Sequence, residues 1–421
     1  MGAGQSGLDS SSVGRTRLEL SQLLEEKTSA QRFNTTKQEE CLRDHRCGLR
    51  ELIYQIEIGN AIQSVDCYHI LAYLGCVSTH LKSYPKASRP VVKILFTSTH
   101  ETSFIKEDVS LLRKSFEVDY LITSGVFAVP KIIAALLKAD MTYTWFASVY
   151  ASVVVLMARI FGKPSVIIVG GVDAARYPEI GYGIWLSKWK GILVRYAMRN
   201  AQKVLVVSSF LRKQIVELAR YEGHNIECVP TGYDPSVWIP GEKGKEDFIL
   251  TIAGCDTRPR VRIKGIPFLL DVARAMDTTR FTIIGPGGKA LNEIRALCPP
   301  NVELISFLPR DQLRGYYQRA RVYCQPSYFE GLPNSVCEAM LCECIPVGTD
   351  VGGIPTAIGD AGFVVSYGNV SAMVAALRRA LAAPESLGKA ARSRILEHFT
   401  LAKREAALKR ILSELAGEDS R

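Results

Sequence analysis

From Val91 onward the chain alternates short apolar runs of strand length with helical segments, in two successive sets, and this leaves few folds open. The first set of expected strands covers 91–97, 116–123, 141–146, 165–169 and 203–207. The second covers 248–253, 280–284, 302–307, 321–325 and 345–348. Parallel strands need long crossovers, and the intervening helical stretches supply them. The expected fold class is therefore α/β, with two facing Rossmann-like domains built on parallel sheets and preceded by an N-terminal extension. A stretch rich in Pro, Gly and charge, 230–245, separates the sets. The domains then read 90–235 and 236–400, followed by a terminal segment 401–421 whose first fifteen residues form an amphipathic helix. Sheets of this kind bind ligands at the carboxyl ends of their strands. The expected site is thus the cleft between the two domains.

Residues 1–89 differ in texture: a Gly/Ser-rich start, dense mixed charge over 15–40, and helical apolar spacing over 51–81. They read as a disordered or partly helical extension with no visible chemistry. Met1-Gly-Ala-Gly-Gln-Ser6 formally matches a myristoylation pattern, though six small and polar residues do so readily by chance. The formal charge of +10 implies an anionic partner, whether nucleotide sugar, phospholipid surface or nucleic acid. The sequence has no aromatic-basic RNA motif and no zinc-finger spacing, which argues against nucleic acid. Eleven cysteines without metal-ligand spacing read as reduced thiols, and the polar first forty residues lack a secretory signal, so a cytoplasmic location is expected. The uncharged run 145–158 falls short of the ~20 residues that span a bilayer and reads as the end of a strand plus a buried helix.

Chemistry concentrates in Glu330-Gly-Leu-Pro-Asn-Ser-Val-Cys-Glu338. It sets two carboxylates eight positions apart across a strand-to-helix junction, with the helix expected over 333–343. Pro333 suits a first helical turn, whose unpaired amides and dipole make an anion site that fits a diphosphate. Glu338 projects roughly 7.5 Å further along the helix axis than Pro333. One carboxylate thus stands on each side of a bound diphosphate. Ile284-Gly-Pro-Gly-Gly-Lys289 also follows a strand and opens a helix, but Ala290 occupies the last glycine place of the dinucleotide pattern, which argues against nicotinamide binding.

The Glu330 to Glu338 segment resembles the E-x7-E signature of the retaining glycosyltransferases of family 4. Leu341-Cys-Glu-Cys-Ile-Pro-Val-Gly-Thr-Asp-Val-Gly-Gly-Ile-Pro355 is similar to that family's strand and Gly-Gly turn beside the donor, and Thr257-Arg-Pro-Arg-Val-Arg-Ile-Lys-Gly265 to its basic loop. The resemblance covers about 91–412. It implies a GT-B architecture and metal-independent, retaining transfer of a hexose from a UDP- or GDP-sugar to a glycan, lipid or small-molecule acceptor, with no cofactor. It implies Arg258 and Lys264 as the cations that neutralise the departing phosphate, acting only as charge separates; Arg260 and Arg262 lie between them and can exchange roles with them. By the same resemblance Glu330 holds the donor sugar's hydroxyls and Glu338 the ribose. Gly331, Leu332, Pro333 and Asn334 form the phosphate turn, and the loop 307–310, with Leu308, lies near the base. Independently of the resemblance, the glycines of 284–289, Gly285 among them, let the backbone approach the donor. In the first domain relatives often show His-Gly-x-Asp, whereas this chain has Gly170-Gly171-Val172-Asp173. With no histidine at 170, Asp173, Gly171 and His100 are the acceptor-side candidates. The same architecture also accommodates a nucleotide-sugar epimerase or hydrolase, or a non-catalytic nucleotide-sugar-binding protein.

Trp185-Leu-Ser-Lys-Trp-Lys-Gly-Ile-Leu-Val-Arg195 interleaves indoles, aliphatics and cations. That mixture suits a peripheral seat on the cytosolic membrane face. Helix packing with solvated lysines is the competing account.

Overall fold

The computed structural model describes residues 91–125 and 128–417. The expectations for 1–89, including Gly2 and the helical spacing over 51–81, and for 418–421 lie outside the described residues.

The first lobe runs β1 (Lys93–Ser98), α1 (Ser103–Arg113), β2 (Glu117–Ile122), α2 (Ala128–Lys138), β3 (Met141–Trp145), α3 (Val149–Ile160), β4 (Ser165–Val169), α4 (Lys188–Asn200), β5 (Lys203–Val206), α5 (Ser209–Ala219) and β6 (Ile226–Cys228). Three short 3-10 turns lie between β4 and α4. Its six-stranded sheet has the order β2-β1-β3-β4-β5-β6, and every pairing is parallel. β3 and β4 are wholly buried, as expected for strands covered by helices on both faces. The apolar run 145–158 ends β3 and continues into α3, whose start is fixed by the Ser148 hydroxyl accepting from the Ala151 amide at 3.2 Å. Among the described residues no helix is long and apolar enough to cross a membrane.

The second lobe runs β7 (Glu246–Cys255), α6 (Arg258–Ile263), α7 (Ile266–Arg274), β8 (Arg280–Pro286), α8 (Gly288–Arg295), β9 (Val302–Ile305), α9 (Arg310–Arg319), β10 (Ala320–Gln325), α10 (Asn334–Leu341), β11 (Ile345–Thr349), α11 (Ile354–Ile358), β12 (Phe363–Val365), α12 (Val370–Ala382), α13 (Glu385–His398) and α14 (Leu401–Ala416). Read across the sheet, the order is β9-β8-β7-β10-β11-β12, again all parallel. This is the doubly wound Rossmann order, with its switch point between β7 and β10. All ten expected strands are present. The two that the sequence did not announce, β6 and β12, are three-residue edge strands too short to show a pattern.

The last helix, α14, returns to the first lobe. Arg404 on α14 forms a paired contact with Asp108 on α1, Nε to Oδ1 at 2.5 Å and Nη2 to Oδ2 at 2.6 Å. Its remaining donors reach the carbonyls of Val229 and Pro230 in the connection between lobes. Asp108 also accepts from the Tyr143 hydroxyl at 2.8 Å and the Trp145 indole at 2.7 Å. One buried apolar cluster runs from the first sheet through Trp238, Tyr317 and Leu332 into the helices of the second lobe.

Candidate active site

The site is built where the loops after β7, β10 and β11 meet. Gly265 has φ +68°, and a side-chain carbon there would lie 1.8 Å from the Pro326 carbonyl oxygen, so only glycine lets the two loops press together. The Tyr328 amide donates to the Ile263 carbonyl at 2.8 Å across the same seam. This seam carries Lys264 to Glu330, with Nζ 2.7 Å from Oε1. Gln325 Nε2 and the Ser327 hydroxyl donate to that same oxygen, at 3.1 and 3.0 Å. All three donors fall on Oε1. Among the described residues Oε2 receives none, and the pair is only partly covered, Lys264 being 25% and Glu330 15% exposed. Gln325 and Ser327 carried no marked role in the sequence; their contribution comes from the turn that folds them back onto Glu330.

The helix that follows starts one residue later than expected. Pro333 is the N-cap of α10, with its carbonyl accepting from the amides of Val336 and Cys337 at 3.2 and 3.3 Å. Asn334 and Ser335 therefore hold the first helical positions, whose amides have no intrahelical partner. The helix ends at Leu341, short of 343, because Glu343 turns to φ 63° on the way into β11. Leu332 is buried in the core, and the Asn334 side chain accepts from the Tyr233 hydroxyl at 2.7 Å, tying the turn to the interlobe connection. Gly353 closes the other side, its amide donating to the Glu330 carbonyl at 3.0 Å.

Glu338 is buried beneath this turn. Arg310 Nη2 donates to its Oε1 at 3.0 Å and the Tyr317 hydroxyl to its Oε2 at 3.2 Å. Burial pushes the carboxyl up to about 7, against the opposing pull of Arg310 and Tyr317. Arg310 itself reaches across to Glu107 of the first lobe at 2.5 Å and lies over the Trp238 ring. Burial works against its charge, but the two carboxylates outweigh it and hold its proton more tightly. Arg310 is the last residue of the 307–310 loop in which Leu308 was expected to meet the base, and Tyr317 follows seven residues later on α9. Leu308 packs half-buried on the core while the neighbouring Phe307 is exposed.

The first lobe presents its 170–183 loops to this turn. A side-chain carbon on Gly331 would lie 1.9 Å from the Gly170 carbonyl oxygen, so the lobes meet here backbone to backbone. Phe329 lies among Tyr177, Tyr182 and Phe210, and the Tyr328 hydroxyl donates to Glu179 at 2.7 Å. Tyr182 is close enough to Glu330 for that charge, after burial, to raise its phenol pKa. The absence of a histidine at 170 has a steric counterpart: a side chain there would meet the rings of Phe146 and Trp145 at 3.0 Å. His100 stacks on Phe146 instead, with ring centres 4.9 Å apart, and burial followed by the Arg260 charge lowers its pKa.

Four expected site residues are placed differently. Asp173 is not an open acceptor-side group: it is buried, and it accepts from the amides of Gly171 at 2.7 Å, Ala147 at 3.0 Å and Gly170 at 3.3 Å. It holds the loop in place, and burial pushes its carboxyl up to about 6 against those amides. Gly171 belongs to the same knot through its amide. Arg258 does not join Lys264 on Glu330 but pairs with the exposed Glu293 at 3.1 Å. Arg260, two residues on, is the cation felt by His100 and Tyr182. Gly285, with φ +117°, clears the backbone of Ala253 and Gly254 in the neighbouring strand rather than an open space. Among the described residues no group of three or more His, Cys, Asp or Glu could hold a metal ion.

Residues 248–383 match the family model described as Glycosyl transferases group 1. The protein is a glycosyltransferase. It is 26% identical over 295 residues to the alpha-maltose-1-phosphate synthase of Mycolicibacterium smegmatis, an alignment covering 62% of this chain and 75% of that protein. It is 27% identical over 245 residues to the MMP alpha-(1->4)-mannosyltransferase of Mycolicibacterium hassiacum, covering 53% and 59%. Among solved structures the glycosyltransferase shares its fold with a sucrose-phosphate synthase from Thermosynechococcus elongatus, with TM-score 0.64, 15% identity and coverage of 78% of this chain and 100% of the other. It also shares it with the Anabaena protein HepE in complex with UDP, with TM-score 0.62, 15% identity and coverage of 77% and 100%. The match to the family model lies wholly within the second lobe, which contains Lys264, Glu330 and Glu338.

Proposed function

We propose that this glycosyltransferase moves a hexose from a UDP- or GDP-sugar to a glycan, lipid or small-molecule acceptor, with retention at the anomeric carbon and without a divalent metal. The observation that carries the reading is Glu330: three donors fix one carboxylate oxygen and, among the described residues, leave the other without a partner at a partly exposed position. That free oxygen receives the donor sugar's hydroxyls. Lys264, already aligned beside it, meets the diphosphate and stabilises the negative charge that grows on the leaving group, a task for which a preset cation needs no reorganisation. The first amides of α10 add to that field through the helix dipole. Glu338 lies deeper and takes the ribose hydroxyls when these replace Arg310 or Tyr317 on its oxygens. The neighbouring structure with UDP supports a uridine donor among the choices.

Retention follows from reaction on one face of the sugar, and Glu330 is already committed to hydroxyl binding rather than to attack on the anomeric carbon. A thermal-shift panel of nucleoside diphosphate sugars tests the reading, since a ligand at 100 times its Kd stabilises the fold by about 2.7 kcal/mol. Stabilisation by one sugar nucleotide, followed by acceptor-dependent release of its diphosphate in EDTA and an α-configured product by NMR, is the expected result. Sugar release without acceptor would assign a hydrolase and conversion to an isomeric sugar nucleotide an epimerase, and no response to any sugar nucleotide would overturn the reading.

A further inference from the structure

The first half of α4 exposes an apolar face that nothing in the described structure covers. Trp189 is 57% and Ile192 62% exposed, and Leu186, in the turn just before the helix, is 39% exposed. Along the helix Trp189, Ile192, Leu193 and Tyr196 recur at the spacing of one stripe, while Gly191, Val194, Ala197 and Met198 are buried against the lobe. The helix therefore has two apolar sides, only one of which the fold uses. An exposed stripe of this size marks a binding surface.

Charge identifies the occupant. From Ile180 to Val216 the sequence contains seven Lys and Arg and no Asp or Glu, within a chain of formal charge +10. Lys188 is exposed, and Lys190 lies over the Trp189 ring at 5.6 Å. Cations beside indole and aliphatic side chains match the boundary between acyl chains and anionic headgroups. Indoles settle at that depth, and lysines reach outward to the phosphates. An acidic protein partner would call for charge contacts with little use for Trp189 and Ile192, and a neutral apolar partner would leave the cations unmatched.

We propose that this face of α4 is the seat for an anionic lipid surface. The seat leads into the catalytic cleft. Trp185, just ahead of it, donates its indole N–H to the Asp173 carbonyl at 2.8 Å, and the Gly170–Asp173 loop is the one that meets Gly331. A glycosyltransferase held in this way presents its cleft to acceptors at the membrane. This deepens the functional reading by choosing a lipid-borne acceptor from the three classes given above, and it rests on that reading.

Co-sedimentation of the full chain with vesicles of neutral phosphatidylcholine, with and without 30% phosphatidylglycerol at physiological salt, is the test. Binding confined to the anionic vesicles is expected, falling about ten-fold or more in Trp189→Ala/Ile192→Ala and about five-fold for each of Lys188→Gln and Lys190→Gln. Quenching of tryptophan emission by brominated lipid should drop in Trp189→Phe. Diphosphate release with a soluble acceptor should be unchanged in all these variants, so failure at the membrane and failure of the catalytic reading give different results. Equal binding to neutral vesicles, unchanged binding in the double variant, or no binding would each overturn the proposal. So would a Trp189 that resists acrylamide in the absence of vesicles, which would put another part of the chain, a second copy or a protein partner on this face.

Discussion

Two cation–carboxylate pairs join distant parts of this chain, and they differ in what is left over. Arg404 and Asp108, 296 positions apart, are each 2% exposed, and Arg404, Tyr143 and Trp145 all converge on the Asp108 carboxylate while carbonyls fill the other guanidinium donors. Lys264 and Glu330, 66 apart, keep water contact and, among the described residues, leave one carboxylate oxygen unclaimed. The first arrangement is closed and can only hold elements together. The second is aligned but incomplete, which is what a ligand requires. The chemistry of the two pairs is similar, so the difference in role comes from burial and from the number of partners.

The largest expected effect breaks the closed pair. Asp108→Ala strands a buried guanidinium and two buried donors and should cost about 3–5 kcal/mol, measured by denaturant unfolding. A small loss there would erase the contrast. Lys264→Ala should lower kcat about 10²–10³-fold while changing stability by about 1 kcal/mol or less, since a partly exposed pair contributes little to folding. A stability loss comparable to that of Asp108→Ala would make the second pair structural as well.

Glu338 lies between these extremes and is tested by pH. Its carboxyl is raised from the usual 4.5 to about 7, so the folded protein keeps a proton that the unfolded chain has released. Its contribution to stability is therefore present below pH 4.5 and is lost as pH climbs toward 7. Melting temperatures measured across that interval should fall more steeply for the wild type than for Glu338→Gln. Asp173 has the same sign between 3.8 and about 6, and its contribution cancels in the difference because both proteins retain it. A wild type and variant with parallel pH profiles would show that Arg310 keeps Glu338 ionised throughout. The smallest effect is expected for Arg258→Ala, whose partner Glu293 is exposed. Turnover should stay within about threefold of wild type, as expected for loss of an exposed pair; a hundredfold loss would show that Arg258 swings inward during the reaction.

The sheets were legible because strands covered on both faces must be apolar along their whole length, as in Met141–Trp145 and Ser165–Val169. The short edge strands β6 and β12 leave no such trace. Glu330 and Glu338 were legible as a spacing across one short loop and one helical turn, whereas Lys264 was marked only by the resemblance of its loop. Arg258 was misplaced because a position at the start of a six-residue helix does not reveal which way its side chain turns. Asp173 was misread for a related reason. An acid after a strand looks the same in sequence whether it faces a substrate or three backbone amides.

The order of apolar and polar residues by itself determined two parallel α/β units, the point where one gives way to the other, and the strand-to-helix junction that carries the two acids, because these follow from periodicity and local turns. Only the tertiary structure decided which polar groups are already satisfied. It brought Gln325, Ser327 and Lys264 onto one oxygen of Glu330, set Arg310 between Glu338 and Glu107, and closed Asp173 and Asp108 within the fold. Lys264, Glu107 and Arg404 come from dozens to hundreds of positions away, and the near neighbours Gln325, Ser327 and Gly171 reach their carboxylates only because the chain folds back, so no local pattern encodes which groups are satisfied.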